Sequence, residues 1–156
     1  EGMMNDNRYY MGGLEKPSPL SDAFDAPYFE GLLSGVKPTL SAKAFLATEQ
    51  RIPGLGNGVL QDILLRAGIH PMRALSTLGD ADTERLYDSV KGVLRQMTDD
   101  GGRDTESDLL GNPGGYRTLL SRKTWGHPCL LCGASLENRQ YLGGKIYYCP
   151  ACQPLS

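Results

Sequence analysis

The feature that most constrains this chain is a pair of Cys-x-x-Cys turns in its last quarter, Cys129-Leu-Leu-Cys132 and Cys149-Pro-Ala-Cys152. Sixteen residues separate the pairs, a spacing that fits a four-thiolate zinc ribbon. Each turn can aim two sulfurs at one point, and the segment between them can form a hairpin that brings the turns together. Leu136 to Leu142 reads as one strand, Gly143-Gly144 as a turn able to take positive φ, and Lys145 to Tyr148 as the return strand. Four thiolates at about 2.3 Å leave no open coordination position, so the expected zinc is structural. A hairpin this small buries too little apolar surface to fold alone, and metal binding supplies the missing free energy. Two disulfides in a secreted domain fit less well. All four cysteines fall within 24 residues, none staples the rest of the chain, and no signal peptide is visible.

Upstream of the ribbon the pattern is helical. Tyr28 to Leu33 reads as a short helix ending at Ser34-Gly35, after a turn begun at Ser21 or Asp22. Pro38 breaks the chain, and Ser41 is a good N-cap for a helix to about Gln50. Gly54-Leu-Gly-Asn57 is a tight turn, with Asn57 able to cap a second helix whose apolar positions are Leu60, Ile63, Leu64 and Ala67. Gly68 suits that helix's C-terminus, and Pro71 forbids its continuation. A longer helix is expected from about Asp80 to Met97, with Leu86, Val90, Val93, Leu94 and Met97 as its buried stripe. Residues 102–115 read as a polar, Gly-rich loop, and Tyr116 to Leu120 as a short helix or strand feeding the ribbon. Trp125 is expected against the ribbon's base, His127 in solvent, and His70 as a helix-terminus group. Glycines before the second helix leave backbone N–H groups bare, which makes a phosphate-sized anion site.

The net charge of −2 argues, taken alone, against a nucleic-acid partner, but its distribution does not. Residues 37–75 carry a net +3 and residues 113–156 a net +4, while residues 1–36 and 76–112 are acidic. Two basic blocks alternating with two acidic ones can make one basic face for an anionic polymer. No apolar run is long enough to cross a membrane. The chain is expected to be a monomer and cytoplasmic. The opening Glu1-Gly-Met-Met reads as the interior of a sheet-containing domain. The expected organisation is therefore a remnant and linker over 1–20, a helical domain over 21–112 and a zinc-ribbon finger over 113–156.

Four stretches, in this order and spacing, resemble the C-terminal half of the formamidopyrimidine-DNA glycosylase / endonuclease VIII family. They are Pro19-Leu-Ser-Asp-Ala-Phe24, Pro53-Gly-Leu-Gly-Asn57, Arg66-Ala-Gly-Ile-His-Pro71 and Gly143-Gly-Lys-Ile-Tyr-Tyr-Cys-Pro-Ala-Cys-Gln153. The resemblance implies a mostly α fold with a small β zinc ribbon: a helix–two-turn–helix domain followed by a four-cysteine zinc finger. It also implies a role as the DNA-binding portion of a base-excision glycosylase and abasic-site lyase for oxidised bases, gripping the phosphates of damaged duplex DNA around a flipped nucleotide. The family's phosphate-contacting Asn falls on Asn57, with Gly54 and Gly56 allowing backbone approach. The metal ligands are Cys129, Cys132, Cys149 and Cys152.

Three departures qualify the likeness. The family's catalytic Pro-Glu pair has no counterpart, since Glu1-Gly-Met-Met is not that motif; no catalytic residue is assigned and enzymatic activity of the chain is left open. The finger's usual Arg is replaced: Gly144 stands at its place, and Lys145, one position late, is the candidate DNA contact. The 102–115 loop is shorter than the lesion-capping loop of the formamidopyrimidine branch, which leans toward oxidised pyrimidines. The lysines, Lys43 and Lys145 among them, sit in polar segments with no sign of desolvation. The alternatives are a non-catalytic zinc-containing nucleic-acid-binding module and, further off, a zinc-ribbon protein adaptor. Salt sensitivity of binding separates both DNA-binding readings from the adaptor.

Overall fold

The computed structural model describes residues 16–49, 51–53, 55–105 and 113–155. The expected sheet remnant before residue 16, Gly54, and residues 106–112 of the Gly-rich loop lie outside the described residues.

Helix α1, Ala26–Ser34, begins where Asp25 accepts from the Tyr28 amide at 2.9 Å, with Pro27 in its first turn. Helix α2, Ala42–Ala47, is capped as expected by Ser41, whose hydroxyl accepts from the Ala44 amide at 3.2 Å. Its amides at Ala42 and Lys43 are satisfied by the carbonyls of Arg73 and Pro71, both at 2.9 Å. Expected to reach Gln50, α2 ends three residues sooner. Arg51 folds back to donate to the carbonyls of Ala44, Phe45 and Thr48 at 3.3, 3.2 and 3.1 Å, satisfying the C-terminal groups of a helix cut short. Two turns then lead to α3, Asn57–Ala67, which ends on Gly68 in the left-handed region at φ 73. A 3-10 turn, Leu75–Thr77, precedes α4, Asp80–Asp99, where the Asp82 carboxylate accepts from the Gly79 amide at 3.1 Å.

Phe24, Phe29 and Phe45 fill the space between α1, α2 and α4 with tilted and edge-on ring contacts. Leu60, Ile63 and Leu64 of α3 meet Leu86, Val90 and Val93 of α4 across the same core. Helix α3 is nearly buried all round, because its other side, at Leu65, joins a second cluster with Leu120, Cys129, Leu136 and Cys149 of the finger. The mostly α fold with a small β ribbon is therefore as expected, and α3 is the element both halves share.

The ribbon is an antiparallel pair, β1 Glu137–Tyr141 and β2 Gly144–Tyr148, in register Tyr141↔Gly144. The turn is Leu142-Gly143, not the expected Gly143-Gly144: Leu142 sits at φ 52 and Gly143 at φ 79. Side chains alternate with period two, so burying Ile146 and Tyr148 together fixes the register and moves the turn one residue earlier. Gly144 then shares the inward face with Ile146, and Lys145 points outward, exposed.

Candidate nucleic-acid interface and metal centre

The first Cys pair lies on a tight knuckle. Gly133 donates to the Cys129 carbonyl, and Cys129 to the Ala134 carbonyl, both at 2.8 Å, with Gly133 at φ 83. The amides of Leu131 and Cys152 point at the sulfurs of Cys129 and Cys149, each at 3.4 Å. All four Sγ atoms lie within 4.8 Å of one another; Cys129–Cys152 is 4.0 Å and Cys132–Cys149 3.5 Å. Sulfurs at about 2.3 Å from one tetrahedral ion stand about 3.8 Å apart, so the cluster fits a metal ion. None is disulfide-bonded, and none of the gaps approaches the about 2.05 Å of a disulfide. The Ala134 amide, then the neighbouring sulfurs, bring the exposed Cys132 thiol down to about 7, while burial raises Cys149 and Cys152.

Four side chains fasten the finger to the helices, and none was assigned this role from the sequence. Gln61 of α3 donates from Nε2 to the Lys145 carbonyl at 3.0 Å and accepts from the Tyr147 amide at 3.1 Å, bonding to β2 as another strand would. Asp62 beside it, fully buried, accepts from the Tyr116 hydroxyl at 2.7 Å and from the amides of Leu119 and Leu120, both at 2.9 Å. Burial raises the Asp62 carboxyl; those three donors and Arg66 pull it back. Burial and Asp62 together push the Tyr116 phenol well above its ordinary range. Gln153, also fully buried, accepts from Cys149 N at 2.8 Å and donates to the Ile69 carbonyl at 3.0 Å. Lys43 of α2 donates to the Tyr141 carbonyl at the hairpin tip, with its ammonium 5.7 Å from the Tyr141 ring centroid.

Lys43 corrects an expectation. It is 3% exposed, and burial lowers its pKa, although its sequence neighbourhood gave no sign of desolvation. The signal for Gln61 and Asp62 was available: two polar residues inside the run Val59-Leu60 to Ile63-Leu64-Leu65, on a helix apolar around its whole circumference.

His70 is also buried, where it accepts from the Met72 amide through Nδ1 at 3.0 Å and stands 4.4 Å from the Tyr148 ring. Burial, then Arg139, lowers its pKa and so favours the neutral imidazole, against the opposing effect of Glu137. His127 is exposed as expected. Trp125 lies 6.2 Å from the Tyr147 ring but is 46% exposed, covering one side of the ribbon without being enclosed by it.

The helix start expected to bind phosphate also differs in detail. Gly56, not Asn57, is the N-cap, and Asn57 is the first residue of α3; its side chain lies outside the described residues. Gly56 supplies the carbonyl that accepts from Val59 and Leu60, both at 3.1 Å, and no side chain caps the helix. Gly56 is exposed, and a Cβ there would meet nothing within 4 Å. The Gln61 clamp sets the Lys145 backbone beside α3 about one helical turn from Asn57, roughly 6 Å along the axis. Of the basic block over 37–75, Arg51 is engaged at the end of α2, and Arg73 bonds Thr77 and pairs with Asp82 at 3.4 Å.

The chain is 35% identical over 146 residues to the formamidopyrimidine-DNA glycosylase of Thermus thermophilus, a match covering 88% of this chain and 52% of that protein. It is 37% identical over 142 residues to the protein of the same name from Alkalilimnicola ehrlichii, covering 88% and 50%. Among solved structures it superposes on MutM (Fpg) from Thermus thermophilus with a TM-score of 0.77 at 30% identity, over 90% of this chain and 54% of that one. It also superposes on Lactococcus lactis Fpg in complex with DNA containing an abasic site, with a TM-score of 0.77 at 26% identity, over 94% and 54%. No protein-family model matches. The chain spans about half the length of the curated relatives it matches. With a helix–two-turn–helix unit clamped to a four-thiol finger, and with these matches in sequence and fold, the chain is similar to the C-terminal half of formamidopyrimidine-DNA glycosylases.

Proposed function

We propose that this chain is the DNA-gripping portion of a base-excision glycosylase and abasic-site lyase for oxidised bases, holding the duplex backbone around a flipped nucleotide. The observation that carries the reading is the Gln61 clamp, which sets β2 of the finger beside the uncapped start of α3. Backbone amides at that start, together with the Asn57 side chain and the approach left by Gly56, would take one phosphate, with Gly54 as a further candidate contact. Lys145, exposed on β2, would take another as a point charge. Zinc is the metal that four thiolates in this arrangement favour; bound by Cys129, Cys132, Cys149 and Cys152, it would hold the hairpin in shape without touching the DNA. The partner is damaged double-stranded DNA, as in the abasic-site complex of the Lactococcus lactis relative.

The test is a salt series of binding to a duplex carrying a tetrahydrofuran abasic analogue. Asn57→Ala and Lys145→Ala should each weaken binding to all sequences by similar factors. Lys145→Ala should also lower the log–log salt slope by about 0.9, the share of one phosphate. A change of base preference with an unaltered slope would disprove the backbone grip, and salt-independent binding would favour a protein adaptor.

A further inference from the structure

We propose that Arg103 is a further phosphate-contacting residue of this grip, acting at the first turn of α3 and supplying the guanidinium that the finger lacks at Gly144. The inference rests on the DNA-binding reading above. Its carrying observation is steric: a Cβ built on Gly58, the second residue of α3, would lie 2.2 Å from Nη1, 3.0 Å from Cζ and 3.2 Å from Nη2 of Arg103. The guanidinium therefore lies against the helix where any other residue would place a side chain.

The backbone that carries Arg103 is firmly built. Arg103 bridges Tyr116, with Tyr116 N to Gly102 O at 2.9 Å and Asp104 N to Tyr116 O at 2.7 Å. Gly114 and Gly115 permit this approach: a Cβ on Gly114 would lie 2.2 Å from Gly102 O, and one on Gly115 2.7 Å from Asp100 O. Tyr116 then ties the pair to α3 through Asp62. Arg103 is thus held in place by backbone contacts and is half-buried at the side of the helix start.

The helix dipole places positive potential at the first turn of α3, and the Arg103 guanidinium lies at the same point. A phosphate there meets both the amides and the planar fork, whose N–H groups match two phosphate oxygens. Gly144 carries no side chain on the inward face of β2, so a fork in this grip comes from another element.

Two variants test the idea by opposite routes. Arg103→Gln removes the charge. Gly58→Ala keeps it but puts a methyl where the guanidinium lies, while favouring the helix, so its thermal unfolding should not fall below that of the parent chain. Each should weaken binding of the zinc-loaded chain to the tetrahydrofuran duplex by roughly tenfold and lower the salt slope by about 0.9. The double variant should bind no worse than Arg103→Gln alone. Parental affinity and slope in either single variant would overturn the assignment while leaving the DNA-binding reading intact. Absence of duplex binding by the parent chain would overturn both.

Discussion

Gln61 shows how much one side chain can decide. Its amide bonds to two groups of β2, the Lys145 carbonyl and the Tyr147 amide. Truncation to Ala removes both bonds at the contact between finger and helix, at a cost of about 1–3 kcal/mol. Urea unfolding of Gln61→Ala should show that loss, together with weaker duplex binding, because the finger would no longer be held beside the start of α3. Gln61→Glu keeps the acceptor for Tyr147 but sets a carboxylate against the Lys145 carbonyl, and should do no better than Ala. Parental stability in both variants would mean that Leu65 and the apolar contacts alone hold the finger. Periodicity could not have assigned this role, since a mid-helix Gln bonding to a strand and one facing water look alike in sequence.

At the level of elements, the ribbon is expected to depend on its thiols in a way the helices do not. The thiol cluster and hairpin are drawn from 24 residues, and their apolar cluster is small. The helical core around Phe24, Phe29, Phe45 and Leu86 contains no finger residue. Metal analysis with thiol titration should find one zinc per chain and four protected thiols; four freely reactive thiols and no metal in protein prepared without chelators would refute the site. Cys149→Ser should lose the ordered ribbon, seen as collapse of dispersed amide signals from Glu137–Tyr141 and Gly144–Tyr148, while helical circular dichroism largely persists. The hairpin turn was misplaced by one residue because Gly143-Gly144 satisfied the local preference for positive φ. Burial of Ile146 outweighed it, forcing Leu142 into the left-handed region instead.

On the scale of the whole molecule, the chemistry of a lyase needs an amine that is unprotonated near neutral pH and aimed at C1′ of the damaged nucleotide. Among the described residues, Lys43 comes nearest, because burial lowers its pKa. Its ammonium is engaged with the Tyr141 carbonyl, in a role that joins α2 to the hairpin tip. The 156-residue chain is therefore expected to give no borohydride-trapped adduct with abasic duplex beyond that of an unrelated protein of similar charge. Trapping far above that control and abolished by Lys43→Ala would reveal a catalytic amine in this half of the fold.

The clustering of the four cysteines, the order of the helices and the likeness to formamidopyrimidine-DNA glycosylases were legible in the residues themselves. Cys-x-x-Cys spacing, the Ser41 cap and the stripe of α4 are local patterns, fixed by the geometry of a turn or a helix. Tertiary structure alone decided that α3 is the shared spine, that Arg51 closes α2, and that the hairpin turns at Leu142. It alone brought Arg103 onto Gly58, 45 positions away in sequence. Each of these joins groups far apart along the chain, through contacts that arise only when burial of the core has fixed which surfaces meet. Short-range preference carries no record of such a partner.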